Sequence, residues 1–127
     1  MQVGIDFGTS NTSVAIQGPG GAFLLELEPG STSIPTAVFY GLDSGEYAVG
    51  SLAVSEYESG EDGRLMRSIK SVLGSALIDE ATEVGSRRLP FRDVIAHFLR
   101  RVIADAERLT GERVESVIQG RPVSFND

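Results

Sequence analysis

The residues best suited to chemistry lie near the start of the chain, at the end of a short apolar segment. Residues 3–7 (VGIDF) carry apolar side chains at every second position, which predicts a strand, and Asp6 stands near its end. A polar turn follows, made of Gly8, Thr9, Ser10 and Asn11. Gly8 allows the backbone to approach a ligand closely, and successive N–H groups in a turn can bind an anion. The hydroxyls of Thr9 and Ser10 can donate hydrogen bonds to phosphate oxygens.

The carboxylate of Asp6 decides which anion this turn could hold. Asp6 cannot bind a phosphate directly, because like charges repel, so a Mg²⁺ ion has to lie between them. The pattern therefore predicts a metal-chelated polyphosphate held in the bend between two strands. It matches neither G-x-x-x-x-G-K-[ST] nor G-x-G-x-x-G, which excludes a P-loop and a Rossmann dinucleotide site. A plain β-turn rich in Gly, Thr and Ser stays open as the alternative.

The composition limits the class of protein. The chain has 127 residues, with 11 Lys and Arg against 18 Asp and Glu and a formal net charge of −7. Nucleic-acid backbones require clustered cations, so we expect no nucleic-acid partner. The absence of Cys and the single His exclude disulfides, thiolate metal sites and His-rich metal sites. No apolar run approaches the roughly 20 residues that span a bilayer, and no signal-peptide pattern begins the chain, so we expect a soluble, cytoplasmic protein without a membrane partner.

The elements that must position the turn follow an α/β pattern. Further strands are expected at residues 12–17, 22–28, 36–40 and 46–49, and the first three strands of the chain form an antiparallel meander. Helices are expected at residues 51–57, at residues 65–73 and from Pro90 to Gly111, and a last strand at residues 115–123. A strand, a crossover helix and a second strand predict that the last strand lies parallel to the first.

The end of this pattern is unusual for an α/β layer, because a single helix leaves one face of the sheet uncovered. We therefore expect a truncated piece of a larger protein. Its last strand, near residues 117–122, would be an exposed edge that can pair with another copy of the chain, so we expect self-association.

Other chemically able side chains have plainer interpretations. His97 stands four residues from both Asp93 and Arg101 on the long helix, which favours a surface charge pair over a proton-transfer role. Phe39 and Tyr40 are interpreted as packing residues of a strand. The acidic residues between positions 56 and 62 lack the spacing of a calcium loop and are interpreted as solvated surface.

Five segments together resemble the actin-like ATPase superfamily, and within it the seventy-kilodalton heat-shock chaperones. Residues 3–14 are similar to the first phosphate loop of the superfamily. Residues 34–38 (IPTAV), 49–53 (VGSLA) and 68–74 (SIKSVLG) resemble the TPS, VGxxA and xxKRLIG segments of the chaperones, and residues 117–127 (VIQGRPVSFND) resemble their VITVPAYFND strand. This chain departs from the family in having Ser71 where the family usually has Arg. GRP in place of TVP resembles a divergent bacterial, DnaK-like branch.

The resemblance implies a fold and a division into parts. The fold would be an α/β actin-like ATPase (ribonuclease H-like) subdomain, with a βββ meander, an inserted mixed α/β subdomain, a crossover helix and a parallel strand. The core subdomain would comprise residues 1–31 and 89–127. Residues 32–88 would form the smaller inserted subdomain.

The resemblance also implies roles for individual residues. Asp6 and Lys70 would be the catalytic residues, and Asp6 would bind Mg²⁺ through water. The phosphates of ATP or ADP would be lined by four residues of the turn, Gly8, Thr9, Ser10 and Asn11. Lys70 would act in catalysis by orienting the attacking water and offsetting charge on the γ-phosphate. Pro122 would stand at a hinge that couples the nucleotide state to contacts between domains.

Three functions compete at this point. The first is the nucleotide-binding part of a heat-shock 70-type chaperone, whose intact form would couple ATP hydrolysis to protein folding and would meet unfolded polypeptides and co-chaperones. This chain alone would then bind ATP weakly and hydrolyse it negligibly. The second is a sugar or other small-molecule kinase of the same superfamily, and the third is an interaction module without enzymatic activity.

Overall fold

Ten strands and two α-helices make up the parts of the chain that the computed structural model describes, residues 1–42, 46–72 and 79–119. The strands are β1 (Gln2–Phe7), β2 (Asn11–Gly18), β3 (Gly21–Leu24), β4 (Ile34–Pro35), β5 (Ala37–Gly41), β6 (Tyr47–Val49), β7 (Gly63–Arg67), β8 (Ala81–Val84), β9 (Arg87–Pro90) and β10 (Ser116–Gln119). The helices are α1 (Ser51–Glu58), α2 (Phe91–Thr110) and a short 3-10 helix over Ile69–Val72. This mixture of sheets and helices confirms the α/β class.

The first sheet carries the polar turn. Its strand order is β10-β1-β2-β3, and β4 pairs with the start of β2, next to the turn. β1 and β2 run antiparallel, with Phe7 opposite Thr12. β10 lies parallel to β1, with Val117 opposite Val3, which confirms the parallel crossover predicted from the sequence. Both large apolar side chains of β10, Val117 and Ile118, are exposed.

The third strand is shorter than the sequence predicts. The ladder between β2 and β3 ends at Leu24, opposite Ala15. The chain then stays close to β2, because the Leu25 N–H donates to the Val14 carbonyl over 2.8 Å. Leu25 and Leu27 are buried in the core although they lie outside the strand. The alternating apolar residues of this segment therefore mark buried positions correctly but overstate the length of the strand.

The long helix covers one face of the first sheet. α2 begins directly after Pro90 and ends at Thr110. The next residue, Gly111, has a left-handed φ of 74°, and its N–H donates to the Glu107 carbonyl over 2.8 Å. Its buried residues recur at steps of three or four: Val94, Ile95, Phe98, Val102 and Ala106. The ring of Phe98 lies 5.8 Å from that of Phe7 on β1. Among the described residues, no helix has the length and apolar character needed to cross a membrane.

A second, smaller sheet follows in the chain. Its order is β6-β5-β7, all antiparallel, and Ala53 of α1 packs with Ala37 and Phe39 of β5. Other side chains of β5, Val38 and Tyr40, belong to the same buried cluster as β1 and α2. The second sheet is thus joined to the first sheet and to α2 by shared apolar packing, and this fixes its position beside the polar turn.

The predicted helix at residues 65–73 is wrong. Residues 63–67 form β7, with Leu65 opposite Phe39 and Met66 opposite Val38. Ser68 then adopts a left-handed φ of 55°, and a 3-10 helix of four residues follows. The described apolar residues that favoured one helix belong to two consecutive elements, β7 and the 3-10 helix, and pack from both. Residues 73–78, with the expected helix end at Gly74, lie outside the described residues.

A hairpin of β8 and β9 precedes α2 and was not predicted. Its two strands are joined by Gly85 and Ser86, and Val84 pairs with Arg87. Gly85 has a φ of 60°, the left-handed conformation that two-residue hairpin turns require. Thr82, Val84 and Leu89 are buried, so the hairpin contributes to the core beside the start of α2.

Candidate functional site

The polar turn between β1 and β2 is a tight bend closed by the backbone. The Gly8 N–H donates to the Asn11 carbonyl over 3.0 Å. A Cβ atom built on Gly8 would lie only 2.5 Å from that carbonyl oxygen, so a side chain here would force the bend to open. Thr9 and Ser10, between them, are exposed. Gly8 is thus required by the bend itself, and the close approach of a ligand predicted for it stays a prediction. The two hydroxyl residues stand at the tip of the bend.

Thr36 holds this bend from the neighbouring chain segment. Its N–H donates to the Ser10 carbonyl over 3.0 Å, and its hydroxyl donates to the Gly8 carbonyl over 2.9 Å. The Thr36 and Thr12 hydroxyl oxygens lie 2.8 Å apart, and both residues are buried. A hydroxyl has one proton, so the Thr36 proton that goes to Gly8 leaves Thr12 as the donor to Thr36. Three hydrogen bonds thus tie the bend to the start of β5.

Thr36 was not among the residues predicted to form the site. The sequence marked it only as part of a segment beginning a strand, because its partners lie 24 and 28 positions earlier in the chain. The only local signal is a hydroxyl residue directly after Ile34–Pro35, where a β-branched apolar residue would be usual in a buried strand.

The Asp6 carboxylate contains a buried atom without a partner. Its Oδ1 is shielded from solvent and has no hydrogen-bond partner among the described residues. Leaving a buried polar atom unpaired costs about 1–3 kcal/mol, and more when the group is charged. Such an atom at the end of a strand, two residues before Gly8, calls for a ligand, a bound water or a cation. It therefore fits the predicted role of a carboxylate that orders the water shell of Mg²⁺, which binds through waters and few carboxylates.

Strand alternation places a second predicted residue on the same side of the sheet as Asp6. Val3, Ile5 and Phe7 are buried on the α2 side, so Asp6 faces the other side. Asp6 pairs with Ser13 on β2, and paired residues share a face. Asn11, two residues before Ser13, lies on that face as well. The fold thus brings Asp6, Asn11 and Ser13 to one corner of the sheet, beside the bend.

A cleft of about 110 Å³ opens between the bend and the second sheet. Its lining combines the tip of the bend with parts of β4, β5, α1 and β7: Thr9, Ser10, Pro35, Thr36, Ala37, Val54, Arg67 and Ser68. Thr9 and Ser10 of the bend therefore line the same small space as Arg67 and Ser68 on the side of the second sheet. This lining can accept an oxyanion group, because it offers donors from both sides and no carboxylate.

Lys70 stands in the 3-10 helix, two residues after Ser68. It is half-buried, and it is not among the described residues that line the cleft. The short helix is nevertheless attached to the cleft wall through Ser68. The catalytic role suggested by the resemblance stays a prediction. Pro122, the predicted hinge, lies outside the described residues.

The described part of the chain does not offer a metal site made of protein groups alone. No three His, Cys, Asp or Glu side chains lie together as a metal-binding group within it. A cation at Asp6 would accordingly have to obtain its other ligands from water and from phosphate oxygens. That is the ordinary situation for Mg²⁺ bound with a nucleotide.

His97 is not the surface charge pair that the sequence favoured. Its Nδ1 lies 2.8 Å from the hydroxyl of Tyr40, and its ring stacks on Tyr47 with centroids 4.9 Å apart. The half-buried ring packs against the second sheet because the side of α2 that carries His97 faces β5 and β6. Burial lowers the pKa of His97. The negative charge of Asp93 acts in the opposite direction, and the positive charge of Arg100 lowers the pKa further. Phe39 and Tyr40 are buried, as predicted for packing residues, and burial raises the pKa of the Tyr40 hydroxyl.

No protein-family model matches the chain. The assignment of a function therefore depends on the geometry of the bend and on the resemblance of the short segments quoted above.

Proposed function

We propose that this chain binds the phosphates of a Mg²⁺-chelated nucleotide at the bend between β1 and β2. The observation that supports this most strongly is the buried, unpartnered Oδ1 of Asp6 beside a bend that Thr36 holds in one conformation. A plain structural turn has no need of a carboxylate oxygen kept from water without a partner. A hydrated cation carrying a polyphosphate would satisfy that oxygen and would bring phosphate groups to Thr9 and Ser10.

Each residue of the bend would bind a different part of the Mg²⁺-chelated polyphosphate. Asp6 would accept hydrogen bonds from waters on the metal, and this would orient the polyphosphate without direct contact between like charges. The hydroxyls of Thr9 and Ser10 and the nearby backbone N–H groups would donate to phosphate oxygens. When bound, Mg²⁺ would neutralise charge on the phosphates, and the chain's own groups would position them.

The wider function we propose is that of the nucleotide-binding part of a heat-shock 70-type chaperone ATPase of the actin-like superfamily. The five segments that resemble this family support it, since they occur in the order in which the family has them. In this proposal Lys70 would approach the terminal phosphate, and its ammonium would offset charge that develops during hydrolysis. Folding of client polypeptides would belong to the intact protein.

The test is a titration of the isotopically labelled 127-residue chain with Mg-ATP, followed by amide NMR shifts. We expect weak binding, with the largest shifts at residues 8–11, because one wall of a cleft supplies few contacts. Asp6→Asn should remove the Mg²⁺ dependence of these shifts. Asp62→Asn is the matched control, since it makes the same charge change at an exposed position in the loop before β7.

Two outcomes would overturn the proposal. One is an absence of shifts at residues 8–11 at millimolar Mg-ATP. The other is an equal change of the Mg-ATP shifts in the Asp6→Asn and Asp62→Asn variants, which would mean that binding depends only on the overall charge of the chain. Shifts that require a sugar together with ATP would instead favour a small-molecule kinase of the same superfamily.

A further inference from the structure

Arg67 stands on the wall of the cleft that faces the bend. It is the last residue of β7, its side chain is exposed, and it lines the same cleft as Thr9 and Ser10. Its guanidinium makes no hydrogen bond or ion pair with the rest of the described chain. Most arginines of the described chain share this lack of an ion pair, and Arg67 is the one among them that lines the cleft beside the bend.

The backbone fixes Arg67 relative to the bend. Arg67 pairs with Ala37 at the start of β5. The residue before Ala37 is Thr36, whose N–H and hydroxyl hold the carbonyls of Ser10 and Gly8. The residue that pairs with Arg67, Ala37, therefore directly follows the residue that holds the bend, Thr36, so the distance between the two backbone segments cannot vary much.

The residue after Arg67 carries a second sign of a specialised site. Ser68 has a φ of 55°, the one left-handed residue other than glycine within the described chain, and it too lines the cleft. A left-handed conformation in a residue other than glycine costs on the order of 1–3 kcal/mol and recurs at ligand-binding sites. Here it ends β7 abruptly, which leaves Arg67 at the cleft wall while the chain turns into the 3-10 helix.

We infer that Arg67 is an anion-binding residue of the proposed site, which contacts the polyphosphate from the side opposite the bend. This inference rests on the proposed function and extends it. A guanidinium presents two parallel N–H donors to a phosphate group, and its charge is permanent. Asp6 does not itself line the cleft that Arg67 lines. A chain of several phosphates could contact both Arg67 and the cation at Asp6, so we expect the site to bind it more tightly than a single phosphate.

The experiment measures the affinity of the 127-residue chain for Mg²⁺-tripolyphosphate and for orthophosphate, at constant ionic strength, by amide NMR shifts. Arg67→Gln should raise the Kd for tripolyphosphate about tenfold, the usual effect of losing a hydrogen bond to a charged group. The same variant should change the Kd for orthophosphate by less than about twofold, since orthophosphate can still bind at the bend without Arg67. Arg67→Lys, which keeps the charge but not the paired donors, should fall between the wild type and Arg67→Gln.

Arg64→Gln is the matched control. Arg64 is on the same strand and is exposed, but it is three positions from Arg67 and so points to the other face. It also does not line the cleft. Its replacement removes the same charge from the chain, so it should change the Kd for tripolyphosphate by less than about twofold.

The outcomes separate this inference from the proposed function. If Asp6→Asn weakens tripolyphosphate binding while Arg67→Gln does not, the bend is a phosphate site and Arg67 has no part in it. Equal effects of Arg67→Gln and Arg64→Gln would likewise overturn the inference. If the wild-type chain shows no shifts with either anion, both proposals fail together.

Discussion

The hydroxyl of Thr36 offers the clearest quantitative test of how the bend is held. In Thr36→Val the shape of the side chain is kept, but two hydrogen bonds are lost, the one that Thr36 donates to the Gly8 carbonyl and the one that it accepts from Thr12. The variant also leaves the buried Thr12 hydroxyl without this partner. At about 1 kcal/mol for each lost bond and a further penalty for an unpaired buried group, we expect a loss of about 2–3 kcal/mol.

The assay is urea denaturation followed by circular dichroism. Thr36→Ser is the control, because it keeps both hydrogen bonds and loses one methyl group, which corresponds to about 1 kcal/mol. Thr12→Val combined with Thr36→Val should cost less than the sum of the single variants by about 1 kcal/mol, since the double variant has no orphaned Thr12 hydroxyl. Strict additivity, or a Thr36→Ser variant as unstable as Thr36→Val, would refute this account of the bend.

Three further variants test other features of the site and its support. Asp6→Asn should raise the melting temperature of the ligand-free chain by about 4 °C, because it removes charge from a buried unpartnered oxygen, and an unchanged or lower value in calorimetry would contradict this. Gly8→Ala should abolish Mg-ATP shifts at the tip of the bend, because the new Cβ would lie 2.5 Å from the Asn11 carbonyl, and wild-type affinity would show that the bend is not needed. Because the pKa of His97 is lowered in the folded chain, the unfolded chain takes up a proton at a higher pH than the folded chain does, and the free energy of unfolding should decline as pH falls below about 6.5. His97→Gln should remove that part of the decline in a pH series of denaturation curves. An identical pH profile for wild type and variant would show that His97 does not cause the decline.

Much of the fold follows from local patterns in the sequence. The hairpin of β1 and β2, the long helix α2 and the parallel pairing of β10 with β1 are confirmed, because each is marked by a regular apolar period or by a chain order that allows few topologies. Pro90 and Gly111 define the ends of α2 for reasons internal to the backbone.

The errors occur where distant contacts override local spacing. Leu65 and Met66 fit a helical period together with Ile69, yet they pair with β5 because that strand offers an edge for a ladder. His97 fits a surface pair by its spacing, but its environment is made by Tyr40 and Tyr47 on another sheet.

The hairpin of β8 and β9 is a different kind of omission. Gly85–Ser86 between two short stretches with β-branched and apolar residues is the composition of a two-residue hairpin turn, so a local signal was present. The strands are only four residues long each, which makes the alternation weak beside the longer period of α2.

In the candidate site, too, the residues that are adjacent in sequence could be predicted and those brought in by distant pairing could not. Asp6 and the residues of the bend are contiguous in sequence, and their types alone predicted a phosphate site. Thr36 is brought to the bend, and Arg67 to the wall of the cleft beside it, only through the pairing of β4 and β5 with other strands, which no local pattern specifies. The self-association expected from the exposed β10 stays a prediction.

The central claim is that a cation binds beside Asp6 together with a polyphosphate in the bend. Mn²⁺ tests it most directly, because this paramagnetic ion takes the oxygen ligands that Mg²⁺ takes and broadens the NMR signals of nearby amides. With tripolyphosphate present, the account predicts broadening centred on residues 6–11, absent in Asp6→Asn and absent without tripolyphosphate. Broadening centred on the acidic loop at residues 58–62, or broadening at the bend that persists in Asp6→Asn, would contradict the account.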